Sequence, residues 1–524
     1  MTEETYDVIV IGSGMGGLSC ASLLTQMAGK RVLLLERHFK PGGQTHEFKR
    51  KGRFAWDVGL HYVGGMGAGE PGRRLMDTLT GGAVGWTPMP DPYDVFIYPG
   101  FRFEVPFGED AYRSRLQTRF PGQAKAIERY FADVHKASHW MTMQMATKAM
   151  GPWMGRMIGF FSGRHEALAL QTTKTYLQEH FDDELLRAVL ASQWGDYGLS
   201  PEESAFGMHA LVTSSFYAGA HYPQGGAQTI AKAVLAVVEQ TGGQCLVNRE
   251  AEQLLVENGR VVGVRVRHRH GDHAESETYR APIVVSDIGA AATYLGLVPE
   301  HIPLPFRDQI RSFRHGRSAI TAYLGLSRGP EAMGLQGSNY WVFGDLDHDE
   351  NRRNAAQILE GKPRSVFLSF PSAKDTQAEG HTAEIIGFVD YEAFEAYQGT
   401  RWKHRPEEYE TLKETIAEGL IEFTDARLPG LRELVEYVEV STPLSMEHFT
   451  GRPFGAFYGV PGVPEKYRQV WCDIETPLPG LYLTGSDVAS LGINGAAIGG
   501  AMTAGKVLGG RALGKIMSLG RPGT

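Results

Sequence analysis

Only three cysteines, Cys20, Cys245 and Cys472, occur in 524 residues. They are too few and too scattered to frame a disulfide scaffold or a zinc site, and they read as small buried hydrophobes in a reducing compartment. Basic charge is not in excess: 52 Lys and Arg face 60 Asp and Glu, a formal net charge of −8, which excludes a general nucleic-acid binder. No apolar run is long enough to cross a bilayer. The acidic start Met1-Thr2-Glu3-Glu4 leads directly to an apolar strand with no signal-peptide pattern, so the expected location is cytoplasmic. HExxH, Walker A, nucleophile-elbow and CxxC patterns are missing, and with them the usual signatures of zinc proteases, P-loop enzymes, serine hydrolases and dithiol oxidoreductases. No internal repeat or low-complexity linker interrupts the chain, and no feature of it specifies an oligomeric state.

What the chain has in plenty is glycine, 65 residues, well above the usual share of about 7% and fitting an α/β protein with many tight turns. The length supplies core for two or three domains. The most informative stretch is Asp7-Val8-Ile9-Val10-Ile11-Gly12-Ser13-Gly14-Met15-Gly16-Gly17, followed by Val32-Leu33-Leu34-Leu35-Glu36. Val8 to Ile11 lacks alternation, as a strand buried on both faces of a parallel sheet does. Gly12 allows the tight turn, Gly14 the approach of a pyrophosphate, and Gly17 the close packing of helix on strand. A helix from about Gly16 would aim its N–H groups and positive end at the phosphates. Glu36 stands close to the ~20-residue spacing expected of the acid that holds ribose hydroxyls. Together these form a dinucleotide-binding βαβ unit.

After Glu36-Arg37-His38 the chain does not enter another helix. Pro41-Gly42-Gly43-Gln44-Thr45 breaks it into a loop, and Gly52-Arg53-Phe54-Ala55-Trp56-Asp57-Val58-Gly59-Leu60-His61-Tyr62 follows. A side-chain-free glycine pair suits the face of a flat, bulky ring. This order resembles the FAD-containing amine oxidase and phytoene desaturase superfamily. Gly43-Gln44-Thr45-His46-Glu47-Phe48, Asp57 to Gly64, Gly195-Asp196-Tyr197-Gly198-Leu199-Ser200-Pro201, Tyr222-Pro223-Gln224-Gly225-Gly226 and the tail Gly480 to Asp487 resemble its retinol saturase and carotenoid isomerase branch. The likeness extends over nearly the whole chain.

The resemblance implies a Rossmann-like FAD-binding domain of the amine-oxidase type in three pieces, residues 1–74, 219–305 and 465–524. Residues 75–218 and 306–464 would form an α+β substrate domain with an antiparallel sheet and a helical cap. It implies cofactor contacts from Gly12, Ser13, Gly14, Gly16, Gly17, Glu36, Arg37, Gly42, Gly43 and Gln44. Backbone at Ala251 would meet adenine, and Gly485, Asp487, Asn494, Gly495 and Ala496 would close the site. Asp487 would bind ribityl or phosphate-side hydroxyls, its plainer role being a helix N-cap.

Several elements are legible directly. Ala227 to Thr241 reads as an amphipathic helix, Asn258-Gly259 as a hairpin turn, and a helix starts near Gly495-Ala496-Ala497. Leu75 to about Ala218 reads as mostly helical. In the second insertion, Ala319 to Leu326, Tyr340 to Phe343, Ser365 to Phe370, Glu384 to Tyr391 and Leu434 to Val440 read as strands of a sheet with one covered face, and Glu407 to Ala426 as a long helix.

Met141 to Phe161 carries Met141, Met143, Met145, Met150, Met154 and Met157 with Trp140, Trp153, Phe160 and Phe161, and its charges are the basic Lys148 and Arg156. The segment 136–165 is therefore expected either to touch a membrane and admit an apolar substrate, or to be an ordinary core helix or lid. Hydrogen transfer across a carbon–carbon bond needs a hydride path at the flavin and proton handling on the other carbon. His61, Tyr62, Asp196, Tyr197 and His209 are the candidates. His268, His270 and His273 sit in a polar turn beside Arg267 and Arg269, which would repel a cation, so no metal site is expected. Residues 64–69 are glycine-rich, but no buried strand feeds them, so a second nucleotide fold is not expected. A reductase would take electrons from transient NAD(P)H or another donor.

The leading expectation is an FAD-dependent saturase or desaturase of a hydrophobic polyene or isoprenoid. A carotenoid cis–trans isomerase using reduced FAD and a flavin amine oxidase are the alternatives. A flavin-free escort protein of the same architecture is disfavoured by the intact Gly12, Gly14, Gly17, Glu36 and Gly43.

Overall fold

Val8–Ile11 is the central strand of a five-stranded parallel sheet, in the order Gln244–Leu246, Val32–Leu35, Val8–Ile11, Ile283–Ser286, Leu481–Leu483. All residues of the first two strands in the chain are buried, as their unbroken apolar runs require. The sheet thus collects strands from three distant stretches of sequence. Its connections diverge on either side of Val8–Ile11, and ligands of such sheets bind beyond the carboxyl ends of the strands at that point. A computed structural model describes residues 6–150, 163–269, 276–509, 512 and 514–516.

Helix Met15–Ala28 follows the first strand, and helix Gly492–Leu508 lies against it. The two are nearly backbone to backbone. A Cβ on Gly500 would stand 2.4 Å from the Gly16 carbonyl oxygen and 2.5 Å from Ser19 Cβ. The last helix begins at Gly492, three residues before the expected start, so Asn494 and Gly495 lie in its first turn and Ala496 just after it. Helix Gln228–Glu239 flanks the same sheet. A three-stranded antiparallel sheet, Arg249–Glu257, Arg260–His268 and Ser276–Arg280, turns at Asn258 and Gly259, both with positive φ (49° and 74°).

A seven-stranded sheet forms the other half, in the order Val435–Ser441, Ser318–Leu326, His381–Val389, Ser365–Ser369, Asn339–Phe343, Asp94–Tyr98, Phe101–Val105. The stretch 75–218 is mostly helical where described, as expected, and also carries the strands Asp94–Tyr98 and Phe101–Val105, joined at Gly100, and Trp86–Pro88. The expected antiparallel sheet with one covered face is corrected: both faces are covered and the sheet is mixed, since Asn339–Phe343 pairs parallel with Asp94–Tyr98. Every residue of Ser318–Leu326 is buried. Along Asn339–Phe343, Tyr340 and Val342 pack into the cluster holding Ile416 and Leu420 of helix Glu407–Asp425, while Trp341 and Phe343 pack into the cluster shared with the parallel sheet. Period-two alternation here separates two cores, not core from solvent.

The methionine-rich stretch begins as the end of helix Ala124–Ala149. Met141 and Met145 are buried, and Lys148 donates to the Cys472 carbonyl at 3.0 Å, so this part packs as core. Trp153, Met154, Arg156, Met157, Phe160 and Phe161 lie outside the described residues, as do His270 and His273. Residues 64–69 do have a strand before them, Val63–Gly64, but it pairs antiparallel with Ala220–Pro223 and is no βαβ unit. Cys20 and Cys472 are buried and Cys245 is half-buried, all as free thiols. Among the described residues, no helix is long and apolar enough to cross a membrane.

Gly500→Ala forces a methyl onto the Gly16 carbonyl, so it is expected to lower unfolding stability by about 1–3 kcal/mol in urea titration. Gly122→Ala, where a Cβ meets nothing within 4 Å, should stay within about 0.5 kcal/mol of wild type. Equal effects of the two would contradict the close helix packing.

Candidate active site

A cavity of about 830 Å³ opens beyond the carboxyl ends of the parallel strands and runs between the two sheets. Its narrow end is built from the glycine turn. Gly12 has φ +95°, and a Cβ at Gly17 would lie 2.3 Å from the Gly12 carbonyl oxygen. Gly12, Gly14 and Gly16 line the wall. Glu36, 7% exposed, holds the turn: its Oε2 accepts from the Ser13 N–H at 2.9 Å and the Ser13 hydroxyl at 2.6 Å, and its Oε1 accepts from the His38 N–H at 2.7 Å. Oε2 thus spends both lone pairs on Ser13, and Oε1 keeps one free acceptor site.

The Pro-Gly-Gly loop closes over this turn. The Gly42 N–H donates to the Ser13 carbonyl at 3.1 Å, and a Cβ on Gly43 would lie 2.9 Å from Gly14 Cα. Gln44 Nε2 donates to the Phe457 carbonyl at 3.0 Å, tying the loop to the far wall. Arg37 pairs with Glu250 at 3.0 Å, and Ala251 lies beside it on the cavity surface. Asn494 Nδ2 donates to the Gly64 carbonyl at 2.8 Å, which brings the start of Gly492–Leu508, Ala496 included, to the cavity.

Ser13, Gly17, Gly485 and Gly495 stand behind the wall, where they set backbone spacing. Asp487 bonds to backbone amides. Its Oδ1 accepts from the Val460 N–H at 2.9 Å and its Oδ2 from the Ala290 N–H at 2.8 Å, and it does not line the cavity. Nor does it cap the last helix, whose N-cap is Leu491. It pins two loops together. The acid at the wall is Asp287, which accepts from the Gly17 N–H at the start of helix Met15–Ala28. Burial pushes its carboxyl up to about 7, against the pull of that N–H and of Arg452.

The wide end is apolar. Val63, Val212, Phe216, Leu491 and Ile493 line it, and Tyr62 stacks on Phe216 with ring centroids 4.5 Å apart. Of the five catalytic candidates, His61, Tyr62 and Asp196 reach this chamber. His209 and Tyr197 do not. The His209 ring is wedged between the Tyr130 hydroxyl at 2.8 Å and the Tyr197 hydroxyl at 3.1 Å, fully buried, and burial brings it down to about 3. It is a neutral structural histidine. Burial likewise lowers His61 to about 3, aided by Lys374.

Beneath the chamber lies a polar cluster that motif reading misses. Lys374 spends its three N–H bonds on the His61 carbonyl (2.8 Å), Asn339 Oδ1 (2.6 Å) and Ser369 Oγ (2.6 Å). Burial brings its ammonium down to about 7, opposed by Glu384, Asp57 and Asp94. Glu384 is fully buried with Oε2 3.0 Å from His61 Nδ1. Asp57 accepts from the Tyr222 hydroxyl and the Ala227 N–H. A charged residue inside an apolar strand, Asp94 before Val95-Phe96-Ile97 and Glu384 before Ile385-Ile386, is the signal that marks two of these. Lys374 carries no such mark. Among the described residues, no group of His, Cys, Asp and Glu could hold a metal ion.

Residues 10–79 match the family model of an NAD(P)-binding Rossmann-like domain. The chain is 32% identical to the all-trans-retinol 13,14-reductase of Danio rerio over 95% of its own length and 85% of that protein. It is 33% identical to the human protein of the same name over 95% of its length and 84% of that protein. Its fold is that of a cyclohexylamine oxidase from Brevibacterium oxydans, with a TM-score of 0.60 at 18% identity, covering 98% of this chain and 99% of that one.

Asp287 keeps its proton to about pH 7 in the folded chain, whereas an ordinary aspartate loses it near 3.8. The folded state therefore binds more protons between those values, and stability falls as pH rises through them. Asp287→Asn is expected to flatten that part of the profile of Tm against pH in the cofactor-free protein. An unchanged profile would contradict the assignment.

Proposed function

This chain belongs to the all-trans-retinol 13,14-reductase family of the FAD-dependent amine oxidase and desaturase superfamily and is an oxidoreductase, and from that premise we propose that it saturates a carbon–carbon double bond of a retinoid- or carotenoid-like polyene with FAD as cofactor. The observation that carries the reading is one continuous cavity, with a dinucleotide cradle at one end and an apolar chamber at the other. Residues 1–74, 219–305 and 465–524 act as the cofactor-binding unit, and residues 75–218 and 306–464 as the substrate unit. The support is that the parallel sheet draws its strands from the first set and the seven-stranded sheet from the second.

The residues present fit FAD. The first N–H groups of helix Met15–Ala28 face the phosphate position, and the remaining lone pair of Glu36 Oε1 suits a ribose hydroxyl. Gly43 leaves room for a ring, and the start of Gly492–Leu508 offers a positive helix end to it. FAD supplies hydride transfer at its N5 position when bound. The chain does the rest. Phe216, Leu491 and Ile493 exclude water and hold an extended apolar molecule, and the polar residues at Tyr62 and Asp196 are placed to handle a proton. Transient NAD(P)H is the proposed source of electrons. Such a substrate suits an enzyme that rests on a membrane face.

Purified protein should be yellow and release FAD on denaturation. Glu36→Ala, which removes a charged acceptor of ribose hydroxyls, should weaken FAD binding by about tenfold or more. Anaerobic incubation of reduced enzyme with retinoid and carotenoid panels should give hydrogen uptake with flavin reoxidation. A change of double-bond geometry with the flavin still reduced would make it an isomerase, and reaction of the oxidised enzyme alone would make it a desaturase.

A further inference from the structure

The Tyr62 hydroxyl lies 2.7 Å from Asp196 Oδ2 and 3.0 Å from Asp94 Oδ2. A phenol has one proton and can donate to one of these oxygens. The second short contact therefore requires a proton on a carboxyl, which donates back to the phenol oxygen. The surroundings say which carboxyl. Asp94 Oδ2 also accepts from Gln193 Nε2 at 2.9 Å, so it receives two donors, as a carboxylate does. Among the described residues, the Asp196 side chain is hydrogen-bonded by Tyr62 alone, and Asp196 faces the cavity.

We propose that Asp196 is the acid that protonates the substrate carbon next to the one receiving hydride, with Tyr62 and Asp94 holding its proton in place. This rests on the saturase reading above. In one reduction the alkene π bond breaks. Hydride from the reduced cofactor forms one C–H bond, and the π electron pair takes the Asp196 proton to form the other. The cofactor is left oxidised by two electrons and Asp196 is left as a carboxylate, to be reprotonated from water before the next cycle.

The charge balance of the region supports a neutral Asp196. Asp57, Asp94 and Glu384 are enclosed around the Lys374 ammonium and Asp196 stands beside Asp94, and among the described residues the phenols of Tyr62, Tyr93, Tyr112, Tyr197, Tyr222, Tyr323 and Tyr458, the carboxyl of Glu47 and the imidazole of His61 also face them. An uncompensated enclosed carboxylate costs several kcal/mol, so one lysine leaves most of these acids protonated. Burial accordingly raises Asp196 far above the carboxylate range, while the donors around Asp94 restrain it to about 6. His61, lowered to about 3, carries no ionisable proton to give at neutral pH.

Two readouts test this. The infrared difference between wild type and Asp196→Asn at pH 8 should contain the carbonyl stretch of one protonated carboxylic acid, over the bands that Asp57 and Glu384 contribute to both proteins, and the difference between wild type and Asp94→Asn should lack it. In single turnovers in D2O, wild type should place solvent deuterium on the carbon next to the one receiving hydride, and Asp196→Asn should slow cofactor reoxidation by substrate ~100-fold or more with FAD content unchanged. Tyr62→Phe, which keeps the ring stack on Phe216, should also slow it and serves if Asp196→Asn does not fold. Absence of that band from the difference between wild type and Asp196→Asn, or full-rate reoxidation in a folded variant, overturns the donor role while leaving the saturase reading intact. A wild type that shows the band but reduces no polyene overturns the saturase reading and the donor role with it.

Discussion

The approach of Gly16 to Gly485 and Gly500 is the constraint on which the cleft depends. A Cβ on Gly16 would lie 2.4 Å from Gly485 Cα, and one on Gly500 would lie 2.4 Å from the Gly16 carbonyl oxygen. Residues nearly five hundred positions apart can meet at this distance only without side chains. Their contact draws the last helix under the first βαβ unit, and so sets its first turn, with Asn494, against Gly64 and the wall of the cavity. The Glu36–Ser13 clamp and the Gly42–Ser13 bond then fix the loop above. One site is thereby made from stretches that the chain order keeps apart.

A second constraint acts at the other end. The chamber is apolar because its occupant must be, yet several ionisable side chains lie against it. Their low-dielectric setting makes each unpaired charge expensive, so the groups settle into neutral or paired forms. Lys374 is held by three acceptors, His61 and His209 are neutral, and the carboxyls compete for a single cation. The same physics that would destabilise a charged cluster turns it into a store of protons beside a hydrophobic substrate.

The cofactor end was largely legible in the chain. Unbroken apolar runs, glycines at fixed offsets and the acid after the second strand are local signals, and they fall where the cavity wall is. The strands of the second insertion and helix Glu407–Asp425 were legible for the same reason. What sequence reading missed depends on long-range packing. Asp287, which no motif singled out, stands at the wall, and two backbone amides from distant loops bind Asp487. The hairpin Asp94–Tyr98 and Phe101–Val105 was hidden inside a helical stretch, although Pro99-Gly100 between apolar runs marks it. With it was lost Asp94, whose meaning emerges only when Tyr62 and Asp196 are brought to it.

The account's central claim is that one cavity holds FAD at the glycine turn and a polyene in the chamber beside Asp196. An experimental structure of the enzyme with FAD and a bound polyene tests this most directly. The account predicts the adenine end beside Glu36 and Ala251, the flavin ring over Gly43 and Gln44, and a double bond between that ring and the Asp196 carboxyl. A flavin seated elsewhere, or a polyene whose double bonds all lie out of reach of Asp196, would contradict it.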